Sequence, residues 1–197
     1  MAARGWSAGP EPPVVNVPNA VTLVRTAAAV ALAVPAIVAA SAPLLVAAYL
    51  CYWIGDVLDG VLARALRQET RTGAVLDILA DRACCCLCAC ALLVLRHDMA
   101  APLAIFLFQF MVLDCLLSLS FLRWPLLSPN YFGLVHRGVY RWNWSPPAKA
   151  VNTGGLVVLI LVTGSPLYPA ALGIAVTIVK VASLVAVGRL APLATRR

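Results

Sequence analysis

Six apolar runs constrain this chain more than any other feature: Ala20 to Ala40, Leu44 to Ala65, Thr72 to Leu95, Met99 to Leu122, Ala148 to Thr163 and Pro166 to Gly188. A hydrocarbon core about 30 Å thick needs roughly 20 apolar residues per helical span, and backbone groups in lipid must be satisfied within the protein. The pattern predicts an all-α integral membrane protein, a six-transmembrane-helix bundle without a separate soluble domain. Composition agrees, since 62% of the 197 residues are hydrophobic and 12% charged, against roughly 45–50% and 25% in soluble domains. The fifth run is the shortest. Its start among Ser145, Pro146 and Pro147 fits the tolerance of a helix's first turn for proline. Residues 1-15 read as a flexible cytoplasmic tail, 16-190 as the membrane domain and 191-197 as a basic tail. Residues 1-18 hold several prolines and no apolar run, so no secretory signal is expected there.

The formal charge of +7 does not point to nucleic acid, because a basic stripe for that purpose needs a soluble face. In a chain this apolar, basic residues mark cytoplasmic loops and meet anionic lipid heads. Arg4, then Arg64, Arg67 and Arg71, then Arg123, Arg137, Arg141 and Lys149, and finally Arg189, Arg196 and Arg197 fall on one side, with Arg96 opposite. Both termini, the connection between the second and third spans, and the long segment from Trp124 to Pro147 are therefore expected in the cytoplasm. Trp124, Trp142 and Trp144 read as an interfacial belt. Five of the seven cysteines fall between Cys84 and Cys90 in a wholly apolar stretch. With no histidine nearby, they read as packing residues rather than as a metal or disulfide set. His97 is expected on the side away from the four aspartates and His136 in the long loop, so neither is expected to be catalytic.

Four of the eight acidic residues, Asp56, Asp59, Asp77 and Asp81, lie in or beside two apolar runs, although an aspartate at mid-membrane costs about 2.5–3.5 kcal/mol on insertion scales. Such a cost calls for a compensating role. Asp56 and Asp59 are three apart and Asp77 and Asp81 four apart, so each pair projects from one helix face. Two antiparallel helices turning these pairs toward each other form a cage of hard oxygen ligands, suited to Mg²⁺ or Mn²⁺ rather than zinc. Gly60 and Ala63 leave room beside the carboxylates for a flat base or a diphosphate. Arg64 offers a planar donor fork for phosphate, and Gly73 allows close helix approach near the turn. The active site is expected at the cytoplasmic ends of helices 2 and 3.

The spacing Asp56-x2-Asp59-Gly60-x2-Ala63-Arg64-x8-Gly73-x3-Asp77-x3-Asp81 resembles the signature of the CDP-alcohol phosphotransferase family at every fixed position. Asn16-Val17-Pro18-Asn19, Thr22 and Arg25 look like the opening of that family's first helix. The resemblance implies transfer of a phosphatidyl group from CDP-diacylglycerol to a small polar alcohol, with release of CMP. It implies that Asp56, Asp59 and Asp77 hold two divalent ions, with Asp81 in the same set and acting as general base. It places Asn19, Thr22 and Arg25 near the nucleotide, together with Asp59, Gly60, Ala63, Arg64 and Gly73. A helix cap and a snorkelling arginine are the alternative for the first-helix residues. The expected setting is a homodimer in a bacterial plasma membrane.

The run from Ala63 to Cys84, Phe108-Gln109-Phe110 with Leu113-Asp114, and Ile178-Val179-Lys180 look like eukaryotic-type phosphatidylinositol synthases, which makes inositol the first acceptor to consider. Asp114 and Lys180 are ionisable groups within apolar spans, either lining the acceptor pocket or pairing with each other. Arg137, Arg141, Lys149 and Asn152 stand at the cytoplasmic mouth of the fourth and fifth spans, to bind an acceptor phosphate or to meet lipid heads. A phosphorylated acceptor, glycerol phosphate or inositol phosphate, is the alternative within the family. A divalent-cation transporter is the alternative from another class; it calls for polar groups along a path through the bilayer, whereas these carboxylates cluster near one end.

Overall fold

The computed structural model describes residues 5–7 and 13–191, and the regular elements among them are all helical. Six helices are long and apolar enough to cross a membrane: α1 (Val17–Val38), α2 (Ala42–Ala65), α3 (Arg71–Leu95), α4 (His97–Arg123), α5 (Arg137–Thr163) and α6 (Leu167–Gly188). The chain is a multi-pass integral membrane protein of the all-α class. Arg4, Arg196, Arg197 and most of the two expected tails lie outside the described residues. Two compact units emerge, Pro10–Leu103 and, as far as it is described, Ala104–Arg197 with Met1–Gly9.

In the first unit, α1 begins three residues before its apolar run because Asn16 caps it. The Asn16 backbone is extended, its side chain accepts the Asn19 N–H at 3.0 Å, and Pro18 occupies the first turn; such a cap contributes about 1 kcal/mol. After α2, the Gln68 N–H donates to the Ala63 carbonyl at 2.9 Å, with Arg67 at φ 56° in the left-handed position of a Schellman-type turn. Thr70 then caps α3, its hydroxyl accepting the Gly73 N–H at 2.8 Å.

Small side chains recur one turn apart along α1 and α3, with Ala48 and Tyr52 facing them from α2. Ala29, Tyr52 and Cys84 form one buried cluster, and Ala33, Ala48 and Cys88 the next. With no hydrophobic drive between helices in lipid, small residues stabilise them by allowing close van der Waals contact. Cys84 and Cys88 are thus packing residues, and all seven cysteines are free thiols. The sidedness of α2 is the reverse of that in a water-soluble helix: Trp53, Ile54, Val57, Leu58 and Val61 are exposed while Gly55 and Asp59 are buried. Lipid solvates the former, so only the polar face must find partners within the protein.

In the second unit, α4 and α6 run parallel in register. Ile105 fits against Gly173, where a Cβ would lie 2.9 Å from the isoleucine Cγ2. Further along, Lys180 meets Asp114 at 2.5 Å, and the Arg123 guanidinium donates to the Val187 and Leu190 carbonyls at 3.1 and 3.0 Å. A wide π-helical turn, Gln109–Asp114, interrupts α4, and another, Ala150–Gly155, interrupts α5. Such turns are often found at functional sites.

Three expectations need correction here. The fifth span reaches back to Arg137 rather than starting at Ala148; the prolines do open a helical turn, at Pro146–Lys149, but a capped turn precedes it, with His136 Nδ1 accepting the Val139 N–H at 3.1 Å. Trp124 and Trp144 are 3% and 7% exposed and pack on Phe132 with ring centroids 5.4 and 4.9 Å apart. They form a core beneath the segment before α5 instead of an interfacial belt, since mutual contact buries more of each ring than a headgroup layer does; Trp142 alone of the three is exposed. Finally, Gly5 and Ser7, expected in a flexible tail, are held by backbone bonds: Ser7 N–H to the Pro125 carbonyl at 2.7 Å and Leu127 N–H to the Gly5 carbonyl at 2.9 Å.

Candidate active site

The four aspartates converge within the first unit. Helical periodicity puts Asp56 and Asp59 on one face of α2, Asp77 and Asp81 on one face of α3, and the Leu66–Thr70 turn brings those faces together. One carboxylate oxygen from each of Asp56, Asp59 and Asp77 lies within 4.8 Å of the other two. Asp59 is the deepest, its side chain 5% exposed, whereas Asp56 and Asp77 are 36% and 39% exposed and form the open rim. Three clustered carboxylates supply the hard oxygen donors that Mg²⁺ or Mn²⁺ requires. Asp81, one turn further along α3, meets Arg25 Nη2 at 3.1 Å.

Arg25 stands among these carboxylates. Its Nε donates to Asp59 at 2.8 Å, and its Nη2 donates to Asp77 at 2.6 Å and Asp81 at 3.1 Å, with Asp56 at 3.5 Å. The side chain is 3% exposed. A buried guanidinium gains most from the acidic groups it can reach, so Arg25 is not a snorkelling arginine. Thr22, one turn before Arg25, donates its hydroxyl to Asp59 at 2.7 Å, which leaves Asp59 held by two side chains of α1. Asn19 sits at the helix opening, its Nδ2 donating to the Val14 carbonyl at 2.7 Å.

Two glycines explain how α1 approaches. A Cβ on Gly73 would lie 2.6 Å from Asn19 Oδ1 and 2.8 Å from Thr70 Oγ1, so the close approach expected there is made by the start of α1. A Cβ on Gly55 would lie 2.5 Å from Arg25 Cβ and 2.7 Å from Cδ, so the arginine stem lies flush on α2. Tyr52, one turn before Asp56, places its ring centroid 5.6 Å from the guanidinium carbon. Gly55 and Tyr52 escaped the sequence reading. The available signal was that Gly55 lies four residues before Asp59, on the same helix face.

Gly60 and Arg64, also four apart, fold together: a Cβ on Gly60 would lie 3.3 Å from Arg64 Nη1. The space beside the carboxylates that was expected to admit a substrate is shared with an exposed, charged guanidinium. Ala63 is half-buried beside it.

The remaining expected site residues belong to the second unit. Lys180, 2% exposed, and Asp114, 14% exposed, form an ion pair at 2.5 Å, which realises the pairing alternative. Ser118 Oγ lies 3.5 Å from Asp114. Arg137, Arg141 and Lys149 are exposed, with Lys149 Nζ donating to Asn130 Oδ1 at 2.7 Å. Asn152 keeps its Nδ2 buried without a hydrogen-bond partner. A family model described as CDP-alcohol phosphatidyltransferase matches residues 15–187, most of the chain. No curated protein and no solved structure gives a significant match.

Proposed function

Since the chain belongs to the CDP-alcohol phosphatidyltransferase family, we propose that it moves a phosphatidyl group from CDP-diacylglycerol onto inositol and releases CMP. Membership makes it a transferase of substituted phosphate groups and removes the cation-transporter reading. The observation that carries the site assignment is the gathering of Asp56, Asp59 and Asp77 within 4.8 Å, on the two helices that bear the family's spacing.

In this reading Asp56, Asp59 and Asp77 hold Mg²⁺ or Mn²⁺. Divalent ions bound there neutralise the diphosphate and favour departure of CMP. Arg64, exposed at the rim, meets a diphosphate oxygen with its donor fork, and Gly60 keeps the rim free of a side chain that would obstruct it. Asp81, outside the group of three, accepts the proton of the acceptor hydroxyl as its oxygen attacks the phosphorus that bears the lipid. The bond from that phosphorus to CMP breaks, and the electron pair leaves with CMP. Asn19 and Thr22 act through structure, the first by shaping the contact at Gly73 and the second by orienting Asp59.

Inositol is favoured by the likeness of the run from Ala63 to Cys84 to phosphatidylinositol synthases. A phosphorylated acceptor, glycerol phosphate or inositol phosphate, is the second reading within the family. Arg64, Arg67 and Arg71 at the α2–α3 turn support a cytoplasmic position for that end of the helices under the positive-inside rule; Arg96, the exception, is held by Asp98 at 2.7 and 2.8 Å. A homodimer in a bacterial plasma membrane completes the proposal.

The test is CMP release by purified protein given CDP-diacylglycerol, Mg²⁺ or Mn²⁺, and either inositol, inositol phosphate, glycerol phosphate or serine. Release with inositol alone is expected. Release with only a phosphorylated acceptor selects the second reading, and no release with any acceptor removes the assignment.

A further inference from the structure

The Arg25 guanidinium occupies the centre of the acidic cluster, touching one oxygen of each carboxylate at between 2.6 and 3.5 Å. Its placement is built into the fold. Gly55 removes the side chain that would exclude the arginine stem, Tyr52 presents its ring to the guanidinium, and Thr22 on the same helix shares Asp59 with it.

We propose that Arg25 is an internal counter-cation that competes with divalent ions for the aspartates, so that full loading with metal requires the diphosphate of the substrate. This rests on the metal reading above. Counted with every carboxylate ionised, the cluster carries −4, and Arg25 brings it to −3. One divalent ion then leaves −1, and a second leaves +1, an excess positive charge beside the buried Arg25 and Asp59 that their apolar surround opposes. A diphosphate supplies the negative charge that the second ion needs. Without Arg25 the sequence is −4, −2 and 0, and two ions load with no substrate present.

The contact geometry adds a steric component to this balance. Arg25 Nε and Nη2 use oxygens of the same three carboxylates that gather within 4.8 Å, so an ion drawing on those oxygens must weaken bonds to the guanidinium. Nη1 is buried with no hydrogen-bond partner, which leaves a donor in place for a substrate oxygen when the others are weakened. The arginine thus links two ligands of opposite charge through one side chain, a coupling that acts reciprocally on both affinities.

Mn²⁺ binding to purified full-length protein, followed by the electron paramagnetic resonance signal of free Mn²⁺ with and without CDP, provides the test. In wild type, CDP is expected to tighten Mn²⁺ binding at least tenfold and to raise the number of ions bound. In Arg25→Gln, Mn²⁺ binds at least tenfold more tightly than in wild type without CDP, and the effect of CDP shrinks to twofold or less. Gly55→Ala, which keeps every charge but pushes on the arginine stem, moves in the same direction. It also preserves the test if Arg25→Gln does not fold. Variants that bind Mn²⁺ with wild-type affinity and wild-type response to CDP overturn the role of Arg25 while leaving the metal site intact. Wild-type protein that binds no Mn²⁺ with or without CDP overturns the metal reading as well.

Discussion

Breaking the Asp114–Lys180 pair while leaving one charge in place should be the most damaging polar change in the second unit. At 2.5 Å and an effective dielectric near 20, the gross attraction is about 6–7 kcal/mol, offset by several kcal/mol spent in removing both groups from water. The net value of the pair is therefore small, whereas loss of one partner leaves an uncompensated charge. Lys180 is 2% exposed and Asp114 14%, so the cost is asymmetric. Asp114→Asn strands the deeper group and should destabilise by about 3–5 kcal/mol. Lys180→Met strands a carboxylate that keeps some exposure and has Ser118 at 3.5 Å, and should cost less. The double variant Asp114→Leu with Lys180→Met removes both charges and should fall within about 2 kcal/mol of wild type. Reversible denaturant titration in detergent micelles, followed by circular dichroism, measures all three. A double variant no more stable than Asp114→Asn would refute the argument, because the cost would then come from lost packing and not from a stranded charge.

Asp81→Asn is expected to reduce phosphatidyl transfer at least a hundredfold, read as CMP release, while binding of CDP stays within a few-fold of wild type; near wild-type turnover removes the base assignment. Gly73→Ala puts a methyl 2.6 Å from Asn19 Oδ1 and should destabilise by about 1–3 kcal/mol, with a lowered melting temperature as the readout. Phe132→Ala, which empties the space between Trp124 and Trp144, should cost about 3–5 kcal/mol, whereas the exposed Trp142→Ala should change stability by less than about 1 kcal/mol; equal losses would contradict the buried aromatic core. Chelation of divalent ions should abolish CMP release, with recovery on adding back Mg²⁺ or Mn²⁺.

Hydropathy alone determined the helical class and the number of membrane-length helices, because in lipid the chain must satisfy its backbone internally whatever the rest of the fold does. The identity and pairing of the aspartates were legible too, since a three- or four-residue spacing decides which side chains share a helix face before any packing occurs. The short fifth run misled because hydropathy stops at Lys149, Ser145 and Arg141, while a further capped helical segment, Arg137–Asn143, precedes it across an extended Ser145. Trp124 and Trp144 looked like interface anchors for a similar reason: a tryptophan near a span boundary carries the same sequence signal whether it meets headgroups or other rings. What only the tertiary structure decided is the company each charge keeps. That Arg25 lies among four carboxylates depends on Gly55 letting α1 settle on α2, and that Lys180 finds Asp114 depends on α4 and α6 lying parallel in register. Those partners are separated by 31 to 66 residues, and no local periodicity reports the distance at which two helices come to rest.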